Sequence, residues 1–344
     1  MMRIQNLFLD FLRILPEKIL RNFAGKPIVI DGNTLDTNMQ IISNLSSKGP
    51  RKKLISPQDY REAAVLLNDL ALPNIYGVEI KDQEIIGPDG SIQIRTYKKK
   101  SNKEKSAAIL FFHQGGLVIM DNKTNDYFCS LLSDKCSATV ISPNYRLCPE
   151  NNFPAAIEDG LSLWDYVVAN ANSLNIDPKS IALAGDSAGG MISATMAIVL
   201  RDKGGIVPAA LCLVYPWVTT SFENQPSLKS CADVFPMTFE TVEFFNKTVF
   251  PDNKNAEHPW ANPLKQNDLK NLPPTIVATA GFDPVRDQGN QFAEVLKKAG
   301  VKVFDYCFNS LTHSFLIFGR ISNVAQRANN KIADNLSNLL NKNV

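Results

Sequence analysis

The most informative stretch of this chain is Ser180-Ile181-Ala182-Leu183-Ala184-Gly185-Asp186-Ser187-Ala188-Gly189-Gly190. An apolar run leads into the pattern Gly-x-Ser-x-Gly, and small residues of helical character follow it up to Arg201. A strand, a sharp turn and a helix in this order are typical of a nucleophile elbow, which holds a serine above the edge of a sheet. The glycines on either side of Ser187 lack the Cβ atoms that would clash in such a turn. Ser187 is therefore the candidate nucleophile, and an ordinary glycine-rich β-α turn is the alternative.

A serine hydroxyl becomes a useful nucleophile only with a base, an acid that orients the base, and donors for the oxyanion. In proteins with this elbow the chain order is serine, then acid, then histidine. Among the three histidines, His313 lies in a loop after the alternating strand predicted at 303–308. Asp283 lies at the end of the apolar run 275–279, and catalytic groups gather at that end of parallel strands. The pattern predicts Asp283 as the acid and His313 as the base.

Four other acidic or histidine residues are not assigned to the triad. Asp287 could rival Asp283, but it falls in the first turn of a predicted helix, where a carboxylate stabilises the helix dipole. His258 has no comparable context and is predicted to lie at the surface or in a cap. Asp186 has no assigned role, and either bonds the oxyanion loop or favours the start of the following helix. His113 precedes the nucleophile and follows another apolar run, 107–112, and it is expected to orient the loop by hydrogen bonds rather than to act as a second base.

The segment His113-Gln114-Gly115-Gly116 is similar to the His-Gly-Gly-Gly loop of lipases and esterases, whose backbone N–H groups face the developing oxyanion. With the elbow, it makes a family recognisable. The chain resembles the hormone-sensitive-lipase-like esterases, family IV of the bacterial lipolytic enzymes, over about Tyr76 to Phe318. Further stretches similar to that family's motifs are Tyr145-Arg146-Leu147-Cys148-Pro149-Glu150, the segment 153–159, Leu272-Pro273-Pro274-Thr275 and the segment 283–289.

The resemblance implies a complete catalytic site and a reaction. The implied roles are nucleophile for Ser187, acid for Asp283, base for His313, and backbone oxyanion donors for Gly115, Gly116 and Ala188. It implies a serine carboxylesterase that hydrolyses short- to medium-chain acyl esters through an acyl-enzyme intermediate, without a metal or organic cofactor. Gln114 stands where the family has its first glycine, and Leu117 where it has an aromatic residue. These departures bear on the shape of the pocket, because both oxyanion glycines remain.

Two other functions fit the same sequence. The same triad could carry out deacetylation or amide hydrolysis. A non-catalytic small-molecule receptor is the alternative from another class, since the plant gibberellin receptors resemble these esterases but lack a working triad. The retained His313 argues against the receptor.

Composition fits an enzyme that acts on small molecules. The chain has 344 residues, of which 44% are hydrophobic and 20% charged, and its net charge of +2 gives no sign of nucleic-acid binding. The six cysteines form neither metal-type pairs nor a disulfide framework. Neither a secretory signal nor an apolar run of membrane-spanning length is visible, so we expect a cytoplasmic protein without an integral membrane segment. The expected partner is a small ester substrate, and a homodimer is left open.

Strands and helices alternate from about residue 78 to the C-terminus, which predicts an α/β-hydrolase fold with a mostly parallel central sheet flanked by helices and a helical cap. The expected strands lie near 109–112, 139–142, 180–184, 209–214, 275–280 and 303–308. An Asp89-Gly90 turn is predicted to join two antiparallel strands before them.

Two segments fall outside this alternation and are predicted to form the cap of the catalytic domain 71–344. Residues 1–70 carry the amphipathic pattern Ile4, Leu7, Phe8, Phe11, Leu12 and Leu15. Packing over the active site is favoured for this segment over a membrane-surface helix. The insertion at about 216–262 is rich in aromatic residues, which suits an apolar substrate. Most of these side chains are expected to form the core of the cap.

Overall fold

The computed structural model describes residues 10, 12–48, 54–65, 67, 70–101 and 105–341. Within these ranges the chain forms an eight-stranded sheet and a small two-stranded one. The strands are β1 (Val29–Ile30), β2 (Asn33–Thr34), β3 (Val78–Gly87), β4 (Gly90–Lys99), β5 (Ser106–Phe112), β6 (Thr139–Pro143), β7 (Ile176–Asp186), β8 (Ala210–Val214), β9 (Thr275–Phe282) and β10 (Val303–Thr312).

Helices follow most of the strands and also make up much of the two predicted cap segments. They are α1 (Glu17–Ala24), α2 (Thr37–Lys48), α3 (Pro57–Val65), α4 (Asp126–Cys136), α5 (Ala155–Ala169), α6 (Ala188–Lys203), α7 (Ser227–Ser230), α8 (Phe239–Val249), α9 (Asn253–Ala256), α10 (Arg286–Lys298) and α11 (Asn323–Asn341). Short 3-10 turns lie at Pro259–Ala261, Pro263–Lys265 and Phe315–Phe318.

The large sheet is mostly parallel, with the spatial order β10-β9-β8-β7-β5-β6-β4-β3. The neighbours from β10 to β6 are parallel, and β4 pairs with both β6 and β3 in antiparallel fashion. Every residue of β6, β8 and β9 is buried. Parallel strands covered by helices on both faces require such continuous apolar runs. The predicted α/β class, with a mostly parallel sheet flanked by helices, is confirmed.

The Asp89-Gly90 turn joins two antiparallel strands, as predicted. β3 and β4 pair from Val78 with Lys99 to Gly87 with Gly90, which leaves only Pro88 and Asp89 between the paired ends. Short connections of this kind match the natural twist of two strands. The hairpin forms one edge of the sheet, away from the strands that carry the candidate catalytic residues.

Alternate residues of the central strands pack into two separate cores. In β5, Leu110 and Phe112 join one core with residues of α5, α6 and α10. Ile109 and Phe111 of the same strand join the other core, with residues of α4 and α11. Because side chains alternate across a strand, the helices must cover both faces of the sheet. This packing holds the C-terminal ends of the parallel strands in fixed positions.

The N-terminal segment divides between the two faces. Leu12, Leu20 and Met39 are buried in the core of α4 and α11, whereas Tyr60 belongs to the opposite core. Four residues of the predicted amphipathic pattern, namely Ile4, Leu7, Phe8 and Phe11, lie outside the described residues. Among the helices that are described, none is both long and apolar enough to cross a bilayer.

Candidate active site

Ser187 lies in a strained turn between strand β7, which ends at Asp186, and helix α6, which begins at Ala188. Its backbone has φ 53° and ψ −117°, a combination that residues with a side chain rarely adopt. The turn is held from both sides. The amide of Ser187 donates to Val214 O at 2.9 Å, and its carbonyl accepts from Trp217 N at 3.0 Å. The elbow predicted from the sequence is therefore present.

Gly189 explains why the elbow needs a glycine after the serine. A Cβ atom at this position would lie 1.9 Å from the carbonyl oxygen of Phe112, the last residue of β5. Backbone of α6 thus touches backbone of the neighbouring strand, and any larger residue would push the helix away. This close approach sets Ser187 beside the loop that follows β5.

The structure brings Ser187, His313 and Asp283 into one hydrogen-bonded chain. His313 Nε2 lies 2.9 Å from Ser187 Oγ, and His313 Nδ1 lies 2.7 Å from Asp283 Oδ2. Because a carboxylate only accepts, Nδ1 must donate to it, and Nε2 is left as an acceptor for the serine hydroxyl. All three side chains are buried. The arrangement can remove a proton from Ser187 and stabilise the imidazolium that results.

Asp283 and Asp287 have different surroundings. The second carboxylate oxygen of Asp283 accepts from the amide of Val285 at 2.8 Å, which fixes the side chain toward His313. Asp287 instead accepts from the amide of Ser227 at 2.7 Å and forms an ion pair with Arg286 at 3.2 Å. Asp287 therefore supports helix α7 and lies outside the chain of contacts from Asp283 to the serine.

The predicted oxyanion donors are available for a ligand. Within the described residues, the backbone N–H groups of Gly115, Gly116 and Ala188 have no hydrogen-bond acceptor. Ala188 is the first residue of α6, where the helix dipole favours negative charge. Gly116 has φ 60°, and a Cβ atom there would lie 2.3 Å from the ring of Phe245. Only glycine fits between this ring and the loop.

His113 is placed to hold the oxyanion loop. Its Nδ1 lies 2.6 Å from the carbonyl oxygen of Gln114, and its ring stacks on Tyr145 with centroids 4.1 Å apart. Tyr145 Oη also donates to the carbonyl of His113 at 2.8 Å. Burial lowers the pKa of His113 to about 4, so the imidazole is neutral near pH 7. These contacts involve the loop backbone.

Asp186 forms hydrogen bonds that the sequence did not predict. Its Oδ2 accepts from Tyr215 Oη at 2.9 Å and from Asn125 Nδ2 at 3.1 Å, so it bonds neither the oxyanion loop nor the start of α6. The ring of Tyr215 packs against the imidazole of His313, with centroids 4.6 Å apart. Burial raises the pKa of Asp186 to about 7. No local sequence signal links these residues, because Asn125 and Tyr215 meet Asp186 only through the fold.

Aromatic side chains from both predicted cap segments meet above the oxyanion loop. Tyr60 of α3 stacks on Phe244 of α8, with centroids 4.3 Å apart, and also contacts Phe245 at 5.6 Å. Arg61 anchors the same helix, since its Nε donates to Val118 O at 2.9 Å. Arg61 also forms an ion pair with Glu150 at 2.7 Å. These contacts hold the aromatic enclosure formed by Tyr60, Phe244 and Phe245 against Gly116.

The remaining candidates form no second site. His258 accepts from the amide of Trp260 at 3.1 Å, so its side chain binds the start of the short 3-10 turn Pro259–Ala261. No cluster of three or more His, Cys, Asp or Glu residues suited to a metal ion occurs in the ranges that the structure describes.

The sequence of this chain is similar to those of known hydrolases and esterases. A family model described as an alpha/beta hydrolase fold matches residues 109–317. The carboxylic ester hydrolase LipN of Mycobacterium tuberculosis is 33% identical over 304 residues, which cover 85% of this chain and 80% of LipN. The esterase LipI of the same organism is 34% identical over 258 residues, with 74% and 80% covered.

The fold is also similar to that of an esterase of known structure. The hyperthermophilic esterase of the archaeon Pyrobaculum calidifontis superimposes with a TM-score of 0.80 at 31% identity. The match covers 87% of this chain and 96% of that esterase. Residues 109–317, which the family model matches, include every candidate residue of the site.

Proposed function

The chain belongs to the hormone-sensitive-lipase-like, family IV esterases of the α/β-hydrolase superfamily, and on this premise we propose that it is a serine carboxylesterase. The observation that carries the proposal is the continuous hydrogen-bonded path from Asp283 through His313 to Ser187. The relatives named as carboxylic ester hydrolases and esterases support the same class of substrate.

Acylation begins when Ser187 Oγ attacks the ester carbonyl while His313 Nε2 takes its proton. Asp283 accepts the Nδ1 hydrogen bond throughout and stabilises the positive imidazolium. The negative oxygen of the tetrahedral intermediate accepts from the backbone N–H groups of Gly115, Gly116 and Ala188, the last of them at the positive end of α6. His313 then returns the proton to the leaving alcohol, and an acyl-serine remains.

Deacylation repeats these steps with water. His313 takes a proton from the water, whose oxygen attacks the acyl carbonyl, and the second tetrahedral intermediate uses the same donors. Collapse releases the carboxylic acid and returns the proton to Ser187. The net reaction consumes one water and one ester and yields one acid and one alcohol. Every step uses side chains and backbone groups of this chain, and no cofactor enters it.

The aromatic enclosure supports the substrate class. Phe245 lies against Gly116, and Tyr60 and Phe244 pack on Phe245. An enclosed apolar site of limited volume favours short- and medium-chain acyl groups over long ones. In this arrangement α3 and the insertion at about 216–262 act as cap elements of a catalytic domain formed by residues 71–344, whereas Leu12, Leu20 and Met39 pack in the core of α4 and α11.

Two experiments test the proposal. Purified protein is assayed on nitrophenyl esters of graded chain length, and Ser187 is labelled with a fluorophosphonate. We expect turnover and labelling in the wild type, and the loss of both in Ser187→Ala, by several orders of magnitude for turnover. Circular dichroism checks that the variant is folded. A wild type that neither turns over esters nor reacts with the fluorophosphonate would support the receptor alternative, and faster turnover of nitroanilides would support an amidase.

A further inference from the structure

Gln114 stands at the position where the family has a glycine, and its side chain is buried. Only 2% of the residue is exposed. Its Oε1 accepts a hydrogen bond from the hydroxyl of Ser314, which is itself buried. The two residues are 200 positions apart in the chain. A side chain absent from the family pattern therefore makes a contact that a glycine could not make.

This contact joins the two loops on which the proposed reaction depends. Gln114 lies directly before Gly115, whose amide is a proposed oxyanion donor. Ser314 lies directly after His313, in the left-handed region with φ 63°, and the 3-10 turn Phe315–Phe318 follows it. A hydrogen bond between their side chains limits how far the base can move relative to the oxyanion donors.

The other end of the Gln114 amide supports a special role. Its Nε2 is buried and has no hydrogen-bond partner among the residues that the structure describes. A buried donor without a partner is unfavourable for folding, and ordering a long side chain adds an entropic cost. Glycine at this position would avoid both costs. The bond to Ser314 is therefore the favourable polar contact that the structure shows for this side chain.

We propose that Gln114 is a positioning residue that ties the loop of the base His313 to the oxyanion loop through Ser314. The inference rests on the proposed esterase function. Since the bond fixes groups that act together only in the transition state, its loss lowers kcat while the substrate still binds. The effect on KM is small, because neither side chain lines the aromatic enclosure described above.

A double-mutant cycle tests this role. We expect Gln114→Met and Ser314→Ala each to lower kcat about five-fold, the scale of one neutral hydrogen bond, with KM changed less than about two-fold. The double variant should be no slower than the slower single variant, because both changes remove one bond.

Three results would overturn the inference: losses that multiply in the double variant, an unchanged kcat in Ser314→Ala, or a fall in melting temperature without a fall in kcat. Wild-type turnover of nitrophenyl acetate tests the proposed function separately. If the wild type does not turn over the ester, the rate at which a fluorophosphonate labels Ser187 is compared across the same four proteins. Equal labelling rates would then refute the positioning role.

Discussion

Replacing Asp186 by asparagine should make the folded protein more stable at alkaline pH. Asp186 is fully buried, and its nearest partners, Tyr215 and Asn125, are neutral donors. Burial therefore raises the pKa of this carboxyl from 3.8 to about 7. Asparagine keeps an oxygen that can accept from both partners and removes the charge.

The size and sign of the effect follow from proton linkage. Between pH 3.8 and about 7 the unfolded chain loses the Asp186 proton while the folded chain keeps it, so stability falls as pH rises through this window. Above it, the full shift amounts to about 4 kcal/mol. The amide nitrogen of the variant would occupy the Oδ1 position, which has no partner among the described residues, and this offsets about 1 kcal/mol. The net gain at pH 9 is about 3 kcal/mol, or roughly 4 °C in Tm.

The assay is urea or thermal unfolding of wild type and Asp186→Asn, followed by circular dichroism from pH 4 to pH 9. Asp159→Asn is the matched control, because Asp159 is also buried but accepts from the charged Arg146 at 2.9 Å. Loss of that charged pair should destabilise the control at pH 9. A stability difference between wild type and Asp186→Asn that does not change with pH, or an Asp186→Asn protein less stable than wild type at pH 9, would refute the reasoning.

Three further predictions concern the site itself. Asp283→Asn should lower turnover by as much as roughly 10⁴-fold, because the asparagine would select the wrong tautomer of the His313 imidazole. Asp287→Asn should act mainly on the melting temperature. The reverse pattern in kcat and Tm would contradict the assignment of Asp283 as the acid. Phe245→Ala should shift the preferred nitrophenyl ester toward longer acyl chains, and an unchanged chain-length profile would place the acyl group elsewhere. Gly189→Ala should fail to give folded, active protein, because its Cβ would lie 1.9 Å from Phe112 O; a stable, active variant would show that the helix can shift.

The sequence was most informative where chemistry depends on short motifs. The order of Ser187, Asp283 and His313, and their places after predicted strands, sufficed to predict that they meet. Contacts between distant side chains carried no such signal. The bonds of Asp186 to Tyr215 and of Gln114 to Ser314 depend on which strand ends become neighbours, and hydrophobic periodicity does not specify this.

The N-terminal segment illustrates the same limit. Its amphipathic pattern favours packing over the active site, but Leu12 of that pattern is buried in the core of α4 and α11 instead. In the structure Leu20 and Met39 pack on one face of the sheet, and Tyr60 packs on the other. Residues 49–53, between Met39 and Tyr60 in the chain, lie outside the described ranges.

The contacts of α3 connect the aromatic enclosure of Tyr60, Phe244 and Phe245 with the oxyanion loop. Tyr60 stacks on Phe244 in the aromatic enclosure, and the next residue, Arg61, donates to the carbonyl of Val118. Val118 in turn donates its amide to the carbonyl of Gly115 at 3.0 Å. Displacement of this helix would therefore move the aromatic enclosure and remove a support of the oxyanion loop at the same time.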